Sequence, residues 1–266
     1  MCNLYSHTSN RDAIAALVRE LSLFSDNLGN LAPQTGIFPD YLAPVVRNTP
    51  AGRELTKLRW GLPSSGKALY DSAAKRADKL RAKGKEVDFE ALLAAEPDSG
   101  TTNVRNIRSE TGRWNPHWNK WMVLENRCIV PFTSFSEFDN TVDDAGKKKG
   151  DTWFALDQSR PLAFFAGIWV QDWSGVRKIK TGREENLDLF GFLTCTPNNV
   201  VGSIHMKAMP VILTTPDEIE TWLTAPKEEA ILLQRSLPDD VLQVVSVGRK
   251  EDPPSSQTEE PEKQLF

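Results

Sequence analysis

Three cysteines and three histidines among 266 residues are too few, and too scattered, for a structural zinc site or a disulfide framework. Cys2, Cys128 and Cys195 share no metal-like spacing, and His7, His117 and His205 are not grouped with them. No run approaches the roughly 18 to 20 apolar residues that a membrane-spanning helix needs. The first ten residues, MCNLYSHTSN, also lack the basic and apolar blocks of a secretion signal. The expectation is a protein of the cytosol or nucleoid that needs no metal or other cofactor. An excess of positive charge is missing too. With 32 Lys and Arg against 36 Asp and Glu the net charge is −4, which argues against coating nucleic acid non-specifically through a uniformly basic surface. A local basic groove stays open.

What is present is enough apolar residue, 39% of the chain, to bury one large core or two modest ones. Ile14, Leu17, Val18, Leu21 and Phe24 recur at helical spacing behind Ser9 and Asn10, which predicts an amphipathic helix over residues 11–24. Short apolar runs at Ala43 to Val46 and Leu55 to Trp60 fit strands joined by turns. Lys67 to Glu86 is rich in Ala, Lys and Arg and predicts a second helix, with Leu69, Ala73, Ala77 and Leu80 on one face and Lys75, Arg76, Lys79 and Lys83 on the other. Solvation is the ordinary reason for such a charged face, and DNA contact is the alternative. Beyond Gly100, RCIVPFTSFSEF, TWFALD, PLAFFAGIWV, LFGFLTC and MPVILTT are β-branched and aromatic, as in a closely packed sheet or barrel. A short helix follows Thr215 and contains Ile219, Trp222 and Leu223. The pattern is α+β, dominated by strands. Residues 251–266, EDPPSSQTEEPEKQLF, read as a disordered acidic tail.

Cys2 carries the most unusual chemistry. Removal of Met1 would leave a cysteine with both a free α-amine and a thiol. An α-amine has a pKa of about 7.7 to 8.0, so a useful fraction is unprotonated near neutrality and can attack a carbonyl. The thiol can then close onto the imine, and with an aldehyde the product is a five-membered thiazolidine.

Five segments set this residue in a context: Met1-Cys2; Arg59-Trp60-Gly61-Leu62-Pro63; Asn106-Ile107-Arg108-Ser109-Glu110-Thr111; Arg127-Cys128-Ile129-Val130-Pro131 leading to Glu137; and Ile204-His205 followed by Met209-Pro210. In this order they resemble the SOS response-associated peptidase (SRAP) family, sensors of abasic sites in single-stranded DNA. The resemblance spans about residues 2 to 248. It implies a single SRAP-like domain over residues 2–250, with a β-barrel-like mixed sheet core and flanking helices, in which residues 64–98 form an inserted basic helical segment. It also implies that the mature N-terminal Cys2 removes its own Met1 and crosslinks to the ring-opened aldehyde of the lesion. Single-stranded DNA carrying abasic sites is then the partner.

By the same resemblance Glu137 falls at the catalytic glutamate and His205 at a general acid/base that assists ring opening and crosslink reversal. Two frames compete for the asparagine that orients Cys2 and the deoxyribose. Asn106 with Arg108 has the longer match, through Ser109, Glu110 and Thr111; Asn103 with Arg105 is the alternative. A three-residue offset exchanges the faces of a strand, so the two frames place Asn differently. The arginine would hold a phosphate flanking the lesion. Trp60 would stack near the lesion, Gly61 would let the backbone approach DNA, and Pro39 would sit in the loop beside the nucleophile. His117 is read as structural.

The chain departs from the family at Cys2-Asn3-Leu4, where many members read Cys-Gly-Arg, and at Phe135-Ser136-Glu137-Phe138, where an aromatic pair often flanks the glutamate. A competing reading keeps the fold but makes Cys2, Glu137 and His205 a thiol peptidase acting on other proteins; a third is a noncatalytic single-strand binder. Gln264-Leu265-Phe266 resembles short motifs that dock into sliding clamps, and an inert solvated tail is the alternative. A monomer is expected, because the active form must admit a DNA strand and no separate amphipathic stripe suggests a dimer seam.

Overall fold

The computed structural model describes residues 2–18, 21–22, 31–142 and 146–252. Among these residues the strands are β1 (Leu4–His7), β2 (Leu21–Ser22), β3 (Gln34–Ile37), β4 (Leu42–Thr49), β5 (Gly52–Trp60), β6 (Asn103–Val104) and β7 (Arg127–Phe132). They continue as β8 (Ser134–Val142), β9 (Lys148–Ala155), β10 (Ala163–Lys178), β11 (Gly182–Cys195), β12 (Met209–Pro210), β13 (Ile212–Leu213) and β14 (Gln243–Val247). The helices are α1 (Arg11–Leu17), α2 (Gly66–Arg81), α3 (Phe89–Ala94), α4 (Pro116–Asn119), α5 (Asn199–Gly202), α6 (Pro216–Thr224) and α7 (Lys227–Ala230). Among the described residues no helix is long and apolar enough to cross a membrane.

Five strands close into a barrel. β4 pairs antiparallel with β5 and with β7, and β10 pairs antiparallel with β7 and with β11. The seam is a parallel pairing of β11 with β5, in which Leu189 faces Arg59 and Phe190 faces Trp60. Closure removes the free edges that a five-stranded sheet would otherwise expose. The interior is aromatic: Phe132 stacks on Phe165 at 3.9 Å between ring centroids, and Phe165 lies 4.5 Å from Phe192. The result is a single α+β domain built on a closed five-stranded barrel with further strands and helices around it.

A second sheet, in the order β14, β9, β8, β1, β3, lies against the barrel. The chain passes from barrel to sheet at Thr133, between β7 and β8, where the Thr133 N–H donates to the Ser6 carbonyl at 2.8 Å. β1 lies between β8 and β3, with Leu4 opposite Ser136, Tyr5 opposite Phe135 and Ser6 opposite Ser134. Tyr5 anchors this strand by driving its ring into the barrel core, 5.1 Å from Trp60 and 5.7 Å from Phe165, both edge-on. The N-terminal segment is therefore pinned in the middle of a sheet.

The first helix is shorter than its periodicity predicts. It ends at Leu17, with Val18 in extended backbone, and Leu21–Ser22 pairs with Arg53–Glu54 as a strand. Strand pairing with the barrel overrides the helical propensity of the segment, and Phe24 lies outside the described residues. The second helix stops at Arg81 rather than Glu86. Its Ser65 cap, the buried Ala73 and Ala77, and the exposed Lys75, Lys79 and Lys83 agree with the amphipathic reading. The segment 64–98 is clamped at its root. The Asp98 carboxylate accepts the Ser64 hydroxyl at 2.6 Å and the Gly100 N–H at 2.9 Å, and the buried Arg177 guanidinium donates to the carbonyls of Asp98 and Gly61. Gly100 has φ +78°, and a Cβ there would sit 2.6 Å from Arg177, so the clamp requires glycine.

The acidic C-terminal stretch begins inside the fold. Asp252 is 2% exposed; its carboxylate meets Arg160 in a bidentate pair at 2.6 and 2.8 Å and accepts the Ser134 hydroxyl at 2.6 Å. Its carbonyl takes the Ser6 hydroxyl at 3.0 Å. One residue therefore ties β1 to β8. Residues 253–266, including Gln264, Leu265 and Phe266, lie outside the described residues.

Candidate functional site

Cys2 precedes β1 and is 1% exposed. Its Sγ lies 3.6 Å from the Leu4 carbonyl, to which the thiol donates. Burial, and then the nearby charge of Glu137, hold the thiol well above its ordinary pKa. It is therefore protonated at neutral pH, and a base must take its proton before it can act as a nucleophile.

The side chain that hydrogen-bonds the Cys2 backbone is Asn103. Its Nδ2 donates to the Cys2 carbonyl at 2.8 Å and to Thr102 Oγ1 at 2.8 Å, with Asn3 Oδ1 at 3.4 Å. β6 sets this geometry, because its parallel pairing with β11 puts Asn103 opposite Phe192 and directs Val104 into the core. Among the described residues Asn103 Oδ1 has no hydrogen-bond partner, which leaves a buried acceptor near Cys2. Asn106, the residue with the longer motif match, is exposed. The three-residue offset has the effect expected of an extended chain, with Asn103 facing in and Asn106 facing out.

Glu137 lies on β8 and is 3% exposed. Desolvation raises its carboxyl from 4.5 to about 7, which lets it give or take a proton near neutrality. His205 follows α5, with Nδ1 3.8 Å from Glu137 Oε1 and 3.1 Å from the Ala208 carbonyl. A carbonyl only accepts, so Nδ1 carries the proton and Nε2 keeps its lone pair. Burial also depresses the imidazole pKa, which favours this neutral form. Glu137 and His205 share a cavity of about 390 Å³ with Asn3, Pro39 and Phe138.

Two expected DNA contacts, Trp60 and Gly61, are buried. Trp60 is 1% exposed, stacked on Phe192 at 5.2 Å, with its Nε1–H donated to the Thr102 carbonyl at 3.1 Å. It is a core residue and has no face left for a base. Gly61 is also buried, at φ +140° beneath Arg177, and serves the clamp at the root of the segment 64–98. Arg108 donates to the Gly112 carbonyl at 2.8 Å and lies 5.3 Å over Trp114. It lines a separate groove of about 770 Å³ with Asn106, Arg113 and Trp114. Arg105 is exposed, with Thr196 Oγ1 at 3.4 Å. His117 is held by the Pro63 carbonyl at 3.1 Å, away from the cavity of Glu137 and His205. Among the described residues no cluster of three or more His, Cys, Asp or Glu side chains could hold a metal.

Sequence reasoning overlooked Thr102 as a support for Asn103, and the outward ring of Phe138, 46% exposed on the cavity wall. Strand alternation beside a buried Glu137 was the signal available for Phe138.

Comparison with known proteins agrees with this architecture. No curated protein matches the chain. Among solved structures, a protein from Bacteroides thetaiotaomicron superposes with a TM-score of 0.59 at 20% identity, covering 93% of this chain and 92% of that one. A protein from Bordetella bronchiseptica gives 0.56 at 21% identity, covering 93% and 100%. A phage-related protein from the same organism gives 0.55 at 18% identity, covering 91% and 92%. These similarities establish the fold. The family model for SOS response associated peptidase (SRAP) matches residues 1–250, nearly the whole described chain, and the protein belongs to that family.

Proposed function

We propose that the protein captures abasic sites in single-stranded DNA as a thiazolidine through Cys2, after removing its own Met1. The observation that carries this reading is the convergence on Cys2 of Asn103 and of a Glu137 whose carboxyl titrates near neutrality, within reach of His205. In the first reaction Glu137 takes the thiol proton, and Sγ attacks the carbonyl of the Met1–Cys2 peptide bond. The acyl group moves from nitrogen to sulfur, the proton passes to the departing amine, and water hydrolyses the thioester to release methionine.

In the second reaction the closed sugar must open. The His205 Nε2 lone pair is suited to take the proton of the anomeric hydroxyl, while a protonated Glu137 supplies one to the ring oxygen. The Cys2 α-amine adds to the aldehyde carbon, the carbinolamine loses its hydroxyl as water, and Sγ adds to the resulting imine as the thiol proton passes to nitrogen. Aldehyde and aminothiol thus become thiazolidine and one water, with no change of oxidation state. The orphaned Asn103 Oδ1 supplies an acceptor that can hold the amine in line for attack. The groove beside Arg108 and Arg113 suits the phosphates of the flanking strand, and Arg105 lies on the same connecting segment.

The test is incubation with single-stranded DNA carrying one abasic site, read by denaturing gel and intact mass. The expected product lacks Met1, has lost one water on coupling, and is absent with Cys2→Ala. No adduct from protein already lacking Met1 would overturn the proposal in favour of a peptidase acting on other chains.

A further inference from the structure

Asn3 stands where many members of the family carry glycine, and its side chain is engaged. It lies on the wall of the cavity that holds Glu137 and His205. Its Oδ1 accepts the Thr102 hydroxyl at 3.0 Å, with Asn103 Nδ2 at 3.4 Å. Thr102 is in turn fixed to the barrel, because its carbonyl takes the Trp60 Nε1–H at 3.1 Å and the Phe192 N–H at 3.3 Å. A polar chain therefore runs from the cavity wall through Thr102 and Asn103 to the Cys2 carbonyl, which Asn103 Nδ2 reaches at 2.8 Å.

The direction of every bond in this chain follows from one atom. The Cys2 carbonyl only accepts, so the amide atom that faces it is the nitrogen of Asn103. That nitrogen only donates, so the Asn3 atom beside it is the oxygen. The Thr102 proton then goes to Asn3, and the hydroxyl lone pair takes the second Asn103 N–H at 2.8 Å. Asn103 Oδ1 is the atom left over, buried near Cys2 and without a partner among the described residues.

Glycine at position 3 would release this constraint. The Thr102 proton would be available to Asn103 Oδ1 in a turned amide, an attraction that competes with the Cys2 carbonyl for the amide's orientation. A turned amide aims N–H groups where the oxygen now stands. Those groups donate to the lone pair of the Cys2 α-amine, the pair that must attack the aldehyde.

We infer that Asn3 is a positioning residue for the Cys2 α-amine. By taking the Thr102 proton it commits Asn103 to the orientation whose oxygen accepts an amine N–H and leaves the amine lone pair unengaged. This rests on the crosslinking reading above and adds a residue outside the motifs that carry the family resemblance. Asn3 acts through Thr102 and Asn103, and exchanges no proton with the lesion.

The experiment uses the full chain released from a fusion so that Cys2 is N-terminal in every variant, with single-stranded DNA carrying one abasic site at increasing concentration. Denaturing gels against time give the maximal rate of adduct formation separately from the DNA concentration that gives half of it. Asn3→Gly and Thr102→Val should each lower the maximal rate about 2- to 10-fold, the range that one neutral hydrogen bond supports, while Thr102→Ser keeps the hydroxyl and should stay within about twofold of wild type. The decisive arm is the Asn103→Ala background, in which Asn3→Gly should cause no further loss. Equal loss with and without Asn103, as from a misfolded variant, would overturn the inference. So would an unchanged maximal rate, or an effect confined to the half-saturating concentration, which would mark Asn3 as a DNA contact instead. If wild type itself forms no adduct, the crosslinking reading falls and this inference with it.

Discussion

Glu137→Gln should make the protein more stable at alkaline pH while disabling it. Burial raises the Glu137 carboxyl from 4.5 to about 7 in the folded state. Between these values the native state binds the proton that the unfolded chain has released, so stability falls as pH rises. Stability is least burdened below pH 4.5, and the cost is complete above pH 7. A shift of this size corresponds to about 3 kcal/mol in full, most of which develops between pH 5 and pH 8. Glutamine cannot ionise and escapes this cost. The expected result is that the stability of Glu137→Gln minus that of wild type increases by about 2 to 3 kcal/mol from pH 5 to pH 8, measured by urea denaturation. For a chain of this size that is about 5 to 10 °C in Tm. Crosslinking by the same variant should fall about 100- to 10,000-fold, the usual share of a general acid or base. A stability difference that does not change with pH would refute a desolvated carboxylate at this position. Unchanged crosslinking would refute its part in proton transfer.

Asn103→Ala removes the donor to the Cys2 carbonyl and should slow both Met1 removal and adduct formation at least about tenfold, whereas Asn106→Ala should leave the intrinsic rate of both within about twofold; intact mass against time separates them. Trp60→Ala should cost about 3 to 5 kcal/mol of stability through the cavity it opens beside Phe192, whereas Trp60→Phe should cost less and still form the adduct. A specific loss of DNA affinity by a well-folded Trp60→Phe would contradict the buried role. Arg160→Ala leaves the Asp252 carboxylate buried without its partner and should cost about 3 to 5 kcal/mol in urea denaturation, partly recovered by adding Asp252→Asn. No recovery in the double variant would show that the pair does not act as a unit.

Much of the fold is legible one residue at a time because local rules agree with the outcome. The aromatic and β-branched runs from Arg127 to Cys195 have few other ways to bury their side chains. Thr215 followed by Pro, Asp and Glu starts a helix because its hydroxyl caps the Glu218 N–H at 3.2 Å. Cys2, Glu137 and His205 could be singled out because their order along the chain is a motif and their chemistry belongs to their side chains.

What escaped is the part set by partners distant in sequence. Asn103 and Asn106 compete on equal chemical terms, and the pairing of β6 with β11 decides between them by turning one inward. An Arg-Trp-Gly run offers an aromatic face, but the parallel closure of β5 on β11 buries Trp60. Asp252 reads as the start of an acidic tail until Arg160, some ninety residues earlier, is found against it. Composition and periodicity determine which elements form and which side chains can do chemistry. The identity of the neighbours, which sets burial, pKa and face, depends on contacts that close only when the barrel does.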